Sequence, residues 1–220
     1  MAEINPNRYL VVIGDVIGSR QIEDRGQLQR RLSEMLEALN QRKDAPLSPY
    51  TITLGDEFQA VYRQPESLFQ HAFSVMEKAH PHRIRFSFGL GRITTAINRK
   101  QSLGMDGEAF YRAREGMDWI KDQRADYHFI LQGLPDQHQA DLLNNTLFLI
   151  SNLLSGWQYN RTAVLRRRLE NQPVKTIARN LEISETAVYR NIYDGSLREI
   201  IRLFELITQE LEVHLGGSER

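Results

Sequence analysis

Residues Arg8 to Val16 form a near-continuous apolar run rich in Val and Ile, the pattern of a strand covered on both faces. Gly18 and Ser19 then turn the chain, and Leu28, Leu32, Met35, Leu36 and Leu39 follow at helical spacing. Tyr50–Leu54 and Phe58–Tyr62 are two short strand-like runs joined across Gly55, Asp56 and Glu57, which predicts a hairpin. Pro65 opens a predicted helix with Leu68, Phe69, Ala72, Phe73 and Met76 on one face. From Ile84 to Leu90 apolar positions alternate with Arg85, Ser87 and Gly89, predicting a half-buried strand. A helix over Ala109–Ile120 and a strand over Tyr127–Leu131 complete the series. The order strand, helix, hairpin, helix, strand, helix, strand predicts an α+β fold, with helices packed on one face of an antiparallel sheet.

Gly133, Leu134 and Pro135 mark a boundary, beyond which every pattern is helical: Ala140–Leu154, Arg161–Leu169, Val174–Leu181, Ser184–Tyr193 and Ser196–Leu215. The expected organisation is a domain over residues 1–134, a connecting helix over 135–157 and a helical domain over 158–220.

Charge narrows the partners. The 28 Lys and Arg balance the 28 Asp and Glu, so any attraction to nucleic acid must come from a local patch. Cysteine is absent, which excludes disulfides and thiolate metal sites. The first ten residues lack the basic start and apolar stretch of a secretory signal, and Leu142–Leu154 is too short and too polar to span a bilayer. A cytoplasmic protein without membrane partners is expected.

Candidate chemistry lies in two acidic turns. Asp15 interrupts the first apolar run near its end in G14-D-V-I-G-S19, and Asp56 and Glu57 stand in T53-L-G-D-E-F-Q-A-V-Y62. Core packing alone would not favour carboxylates there, and adjacent strands would bring the two tips close enough to share a cation. Mg²⁺ takes hard oxygen ligands, so Asp15, Asp56 and Glu57 are candidate metal ligands, with the backbone of Val16, Ile17, Gly18 and Ser19 as a phosphate cradle. The alternative is that Asp15 caps a helix and the second pair is a solvated hairpin tip.

These turns resemble the two metal-binding motifs of class III nucleotidyl cyclases, and the second also resembles the signature hairpin of GGDEF diguanylate cyclases. R83-I-R-F-S-F-G-L-G91 is similar to the next cyclase strand, and G107-E-A-F-Y-R-A-R-E115 to the following helix. The resemblance covers about residues 8–131 and implies a ferredoxin-like palm that binds a nucleoside triphosphate through Mg²⁺. It implies metal-ligand roles for Asp15 and Asp56, with Glu57 at the acidic position of the diguanylate-type hairpin. Where the cyclase helix carries an Asn and a transition-state Arg, this chain has Tyr111 and Glu115, with Arg112 and Arg114 expected to face elsewhere. A missing cation at developing negative charge costs several kcal/mol of barrier, which argues against cyclisation. The two-domain pattern as a whole resembles the SatD family of bacterial proteins.

Q172-P-V-K-T-I-A-R-N-L-E-I-S-E-T-A-V-Y-R-N191 reads as a helix-turn-helix. Ile177, Ala178, Leu181, Ile183 and Val188 supply its small core, and Ser184 caps the second helix. Glu182 stands where a turn glycine is usual. Glu185, Thr186, Tyr189 and Arg190 face outward and, with Lys175 on the first helix, form the expected DNA-contacting set. Between Trp157 and Arg202 nine basic residues stand against five acidic ones, a local excess suited to phosphate contacts. A helical bundle that packs on the first domain or on a second subunit is the alternative. The apolar stripe Leu197, Ile200, Ile201, Phe204, Ile207 and Leu211 reads as core or a homodimer seam. His71, His80 and His82 read as structural rather than metal-binding.

The reading that joins these parts is a DNA-binding regulator responsive to a nucleotide with Mg²⁺. Its rivals are a Mg²⁺-dependent cyclase or nucleotide hydrolase acting through Asp15 and Asp56, and an interaction scaffold.

Overall fold

The computed structural model describes residues 8–123 and 127–216, so most of the N-terminal stretch weighed above as a leader lies outside the described residues. Strands β1 (Arg8–Val16), β2 (Ser48–Leu54), β3 (Glu57–Tyr62), β4 (Ile84–Arg92) and β5 (Phe129–Gln132) form one sheet in the order β2-β3-β1-β4-β5. The apolar first strand is central and buried, with β3 and β4 antiparallel on either side. β5 instead pairs parallel with β4, so the sheet is mixed rather than wholly antiparallel. The crossover helix between these two strands is what returns the chain for a parallel pairing.

Helices cover both faces of the sheet, which corrects the one-sided packing expected from the sequence. Leu10, Val12, Phe58, Ala60, Phe86 and Phe88 face α1 (Arg25–Asn40) and α2 (Leu68–Ala79). Tyr9, Val11, Ile13 and Val61 point the other way, against Ala109, Ala113 and Met117 of α3 (Glu108–Asp122). The polar positions of β4 are therefore not a solvent face. Ser87 is fully buried, and a Cβ on Gly89 would stand 2.2 Å from the Ala109 carbonyl oxygen. Glycine there lets the backbone of α3 lie directly on the strand. Pro65 precedes α2 rather than opening it, its carbonyl accepting the Leu68 amide in a turn before the helix starts.

The chain continues through α4 (Gln137–Ser155), α5 (Tyr159–Leu169), α6 (Val174–Leu181), α7 (Glu185–Asp194) and α8 (Leu197–Leu215), giving an α+β protein. Asn144 of α4 accepts from the Leu131 amide and donates to the Leu131 carbonyl, both at 2.8 Å, and so caps the outer edge of β5. Phe204 of α8 stacks on Phe69 with ring centroids 4.1 Å apart and reaches Phe73 and Phe129. One hydrophobic core thus runs from the sheet through α2 into the C-terminal helices. Glu77 of α2 strengthens the joint by accepting from Arg166, from Arg167 at 2.9 Å and from the Tyr159 hydroxyl at 3.1 Å. Among the described residues no helix is long and apolar enough to cross a membrane.

Candidate functional site

Strand alternation decides which carboxylates meet. Along β1 the residues Tyr9, Val11 and Ile13 point toward α3, and the same period of two carries Asp15 to that face. Along β3, Glu57 shares the α3 face with Val61. Asp56 stands one residue earlier, in the tight turn after Gly55, whose φ of 66° belongs to the left-handed region. The result is a cleft of about 580 Å³ at the end of the sheet. Asp15, Asp56 and Glu57 line it together with Val16, Gly18, Ser19, Arg25, Arg85 and Lys121.

Each carboxylate has its own cation. Arg25, at the start of α1, reaches Asp56 Oδ1 at 3.1 Å. Arg85 of β4 lies 3.6 Å from Asp15 Oδ2, and Lys121 of α3 lies 3.3 Å from Asp15 Oδ1. Lys121 also stands 3.5 Å from Glu57 Oε2. Arg114 grips Glu57 with two parallel hydrogen bonds of 2.7 and 2.6 Å. This corrects the expectation that Arg114 faces away. Residues 114 and 121 are seven apart, so both project from one side of α3 toward the sheet's end.

The electrostatics follow from this arrangement. Burial pushes the Asp15 carboxyl above its ordinary range, the Lys121 and Arg85 charges pull against that, and the nearby Asp56 charge adds to it. Burial would raise Glu57 as well, but the Arg114 fork and Lys121 outweigh it and hold this carboxyl below its usual value. The Arg114 guanidinium is correspondingly raised by its bonds to Glu57.

The donor set fits a hard cation only in part. Asp56 is buried, and its Oδ2 has no hydrogen-bond partner in the protein, an oxygen suited to a cation or to a ligand donor. Glu57 is committed to Arg114, and among the described residues no group of three or more His, Asp or Glu side chains forms a ready-made metal cage. Asp15 and Asp56 are therefore the residues that would hold Mg²⁺, with its remaining ligands drawn from phosphate oxygens or water.

The turn expected to cradle phosphate offers fewer free amides than the sequence implies. β1 runs on through Val16, and the Ile17 amide donates to the Arg83 carbonyl at 2.8 Å. Gly18 then turns the chain in a left-handed conformation into a short 3₁₀ turn over Ser19–Gln21, not directly into a helix. Helix α1 begins at Arg25, with the Asp24 side chain accepting the Gln27 amide. The residues of this cluster that the sequence did not assign to it are Arg25 of α1, Arg85 of β4, and Arg114 and Lys121 of α3. For Arg114 and Lys121 the one sequence signal was their spacing of seven.

The SatD family profile matches residues 9–205, most of the chain. The chain belongs to the SatD family. Among curated proteins none matches it. The family match runs through both acidic turns and through the C-terminal helices of this SatD family member, up to the middle of α8.

The C-terminal helices form a second candidate surface. Ile177, Ala178 and Val188 are buried between α6 and α7, and Ser184 accepts the Ala187 amide at 3.0 Å. Lys175, Glu185, Thr186, Tyr189 and Arg190 are all exposed. Tyr193, which the sequence reading passed over, stacks on Tyr189 and lies beneath the Arg198 guanidinium, 5.0 Å from ring centroid to Cζ. Not every counted arginine reaches this surface, because Arg166 and Arg167 are engaged by Glu77 inside the joint.

Proposed function

We propose that this SatD family protein is a nucleotide-responsive DNA-binding regulator. The sheet and α1–α3 act as a ferredoxin-like palm, and α6–α7 act as a helix-turn-helix. Asp15 and Asp56 hold Mg²⁺ in the cleft, while Arg25, Arg85 and Lys121 meet a triphosphate. The cation, when bound, neutralises phosphate oxygens there. Tyr189 and Arg190 read DNA from the exposed face of α7, with Lys175 on a phosphate. A homodimer presents two such helices to neighbouring half-sites in the cytoplasm. The observation that carries this reading is the convergence of two acidic turns, each carboxylate paired with a cation, at one sheet end. The continuous core from the sheet to α8 supports coupling between cleft and DNA surface.

Fluorescence anisotropy on a library of duplexes from the protein's own promoter region tests it. Binding is expected to fall steeply with salt, to weaken in Arg190→Ala and to change at least several-fold when Mg²⁺–nucleoside triphosphate is added. Salt-insensitive or absent binding with and without every nucleotide contradicts it.

A second reading, an enzyme acting on nucleoside triphosphates, gains from Arg114 and Lys121, which bring positive charge to Glu57 and Asp15 from the helix whose Glu115 stands at the cyclase Arg position. Mg²⁺-dependent product formation, lost in Asp15→Ala and Asp56→Ala, distinguishes it from sensing alone.

A further inference from the structure

The cleft contains a side chain placed where an added cation would sit. Lys121 Nζ lies 3.3 Å from Asp15 Oδ1 and 3.5 Å from Glu57 Oε2, and among the described residues it is the one cation bridging two of the three carboxylates. Both distances are those of a loose ion pair, unlike the two short bonds by which Arg114 fixes Glu57. The Lys121 side chain is 36% exposed on the last turn of α3, with solvent on one side and a flexible stem of four carbons. Arg85, on the other oxygen of Asp15, is only 15% exposed and has far less room to move. Beside this pair the Asp56 side chain is nine-tenths buried, with Oδ2 unpartnered and lining the same cleft.

We propose that Lys121 is a tethered counter-ion that makes divalent-cation binding conditional on a polyphosphate. The proposal rests on the reading of the cleft as a nucleotide and Mg²⁺ site, and adds how that site is regulated. A bare divalent cation approaching Asp15 meets an ammonium a few ångströms away, and like charges at that range oppose strongly where solvent is partly excluded. A polyphosphate changes the balance by giving the ammonium another anion. Lys121 moves from Asp15 to a phosphate oxygen, and the divalent cation takes Asp15 together with the unpartnered oxygen of Asp56. Cation and polyphosphate then enter as a cooperative pair, each raising the affinity for the other by the same factor. Such a gate keeps the site from responding to Mg²⁺ alone, which is abundant, and ties the response to the phosphorylated ligand.

The test uses the full chain, Mn²⁺ as the cation and inorganic tripolyphosphate as the ligand. Mn²⁺ held on the protein is followed by water-proton relaxation enhancement. In wild type, Mn²⁺ alone is expected to bind weakly and to gain affinity with tripolyphosphate. Lys121→Met is expected to bind Mn²⁺ alone at least about tenfold more tightly, as removal of a like charge a few ångströms away implies. Its gain from tripolyphosphate should be at least about threefold smaller than that of wild type, since the part of the coupling that runs through the ammonium is lost with the charge. Lys121→Arg keeps the charge and should keep the weak binding of Mn²⁺ alone. If Lys121→Met binds Mn²⁺ no better than wild type while wild type still takes the Mn²⁺–tripolyphosphate pair, the gate is wrong and the site survives. If wild type takes neither, the reading of the cleft falls with it. Lys121 is partly exposed, so both variants are expected to fold, and a melting curve for each checks this.

Discussion

His71 is buried on α2, where its Nδ1 lies 2.7 Å from the Tyr62 hydroxyl, which in turn lies 2.7 Å from the Tyr50 hydroxyl. Its Nε2 faces Asp44 at 3.7 Å, too far for a hydrogen bond. Burial drives the imidazole down to about 4, the Asp44 charge recovering part of the loss. The sign of the pH effect follows: the folded chain keeps His71 neutral, whereas the unfolded chain takes up a proton below about 6.5. Stability is therefore complete above that value and is lost as pH falls toward 4, by up to about 3 kcal/mol. Urea titrations from pH 7 to pH 4 should show this slope and should show it flattened in His71→Gln. An equal slope in both would remove His71 as its origin. At the same scale, the sequence singled out Asp15, Asp56 and Glu57, which line one cleft, but gave no view of their partners. A carboxylate in a hydrophobic run stands out locally, whereas Arg25 and Lys121 look like any solvated helix residue until the fold brings their ends together.

Among the elements, the α6–α7 turn carries a measurable strain. Glu182 takes φ 55° and ψ 38°, the left-handed conformation that ends α6, and the Ile183 amide returns to the Ala178 carbonyl at 3.0 Å. A side chain there costs about 1–2 kcal/mol, part of which glycine would give back through its greater unfolded-state freedom. Glu182→Gly should raise stability by up to about 1 kcal/mol, read as a small rise in Tm, and a fall would contradict the left-handed assignment. Here the sequence was legible, because a helix pair with a small buried seam announces its turn. It was less so for β4, whose alternation of Phe86 and Phe88 with Ser87 and Gly89 imitates a strand with one wet face. Small residues on that side serve the close approach of α3, and period-two patterning cannot distinguish a small buried position from a solvated one. The same ambiguity hid the second helical layer and, with it, the direction of Arg114.

For the whole molecule, the shared core is the feature with the largest consequence. Phe204 is buried against Phe69, Phe73 and Phe129, so α8 supports the sheet layer as well as the C-terminal helices. Phe204→Ala should cost about 3–5 kcal/mol. The two tryptophans, Trp119 on α3 and Trp157 before α5, allow each region to be followed alone after replacing the other by Phe. Coincident unfolding is expected, and separate transitions would mean that the cleft and the C-terminal helices are not coupled through this core. The sequence placed a boundary near Gly133 from the change in element type, but the continuity of packing across it depends on long-range pairs such as Phe69 with Phe204, which no local pattern encodes.

Binding of a nucleotide with Mg²⁺ in the acidic cleft, as proposed, is open to test by the melting temperature of wild type and Asp56→Ala with each nucleoside triphosphate and Mg²⁺. A ligand held only by the folded chain at about 100 times its Kd adds roughly 2.7 kcal/mol, or about 5–10 °C for a protein of this size. That rise is expected in wild type with at least one triphosphate, and its loss both in Asp56→Ala and when Mg²⁺ is chelated. An unchanged wild-type melting temperature with every triphosphate, or an equal rise in Asp56→Ala, would contradict it.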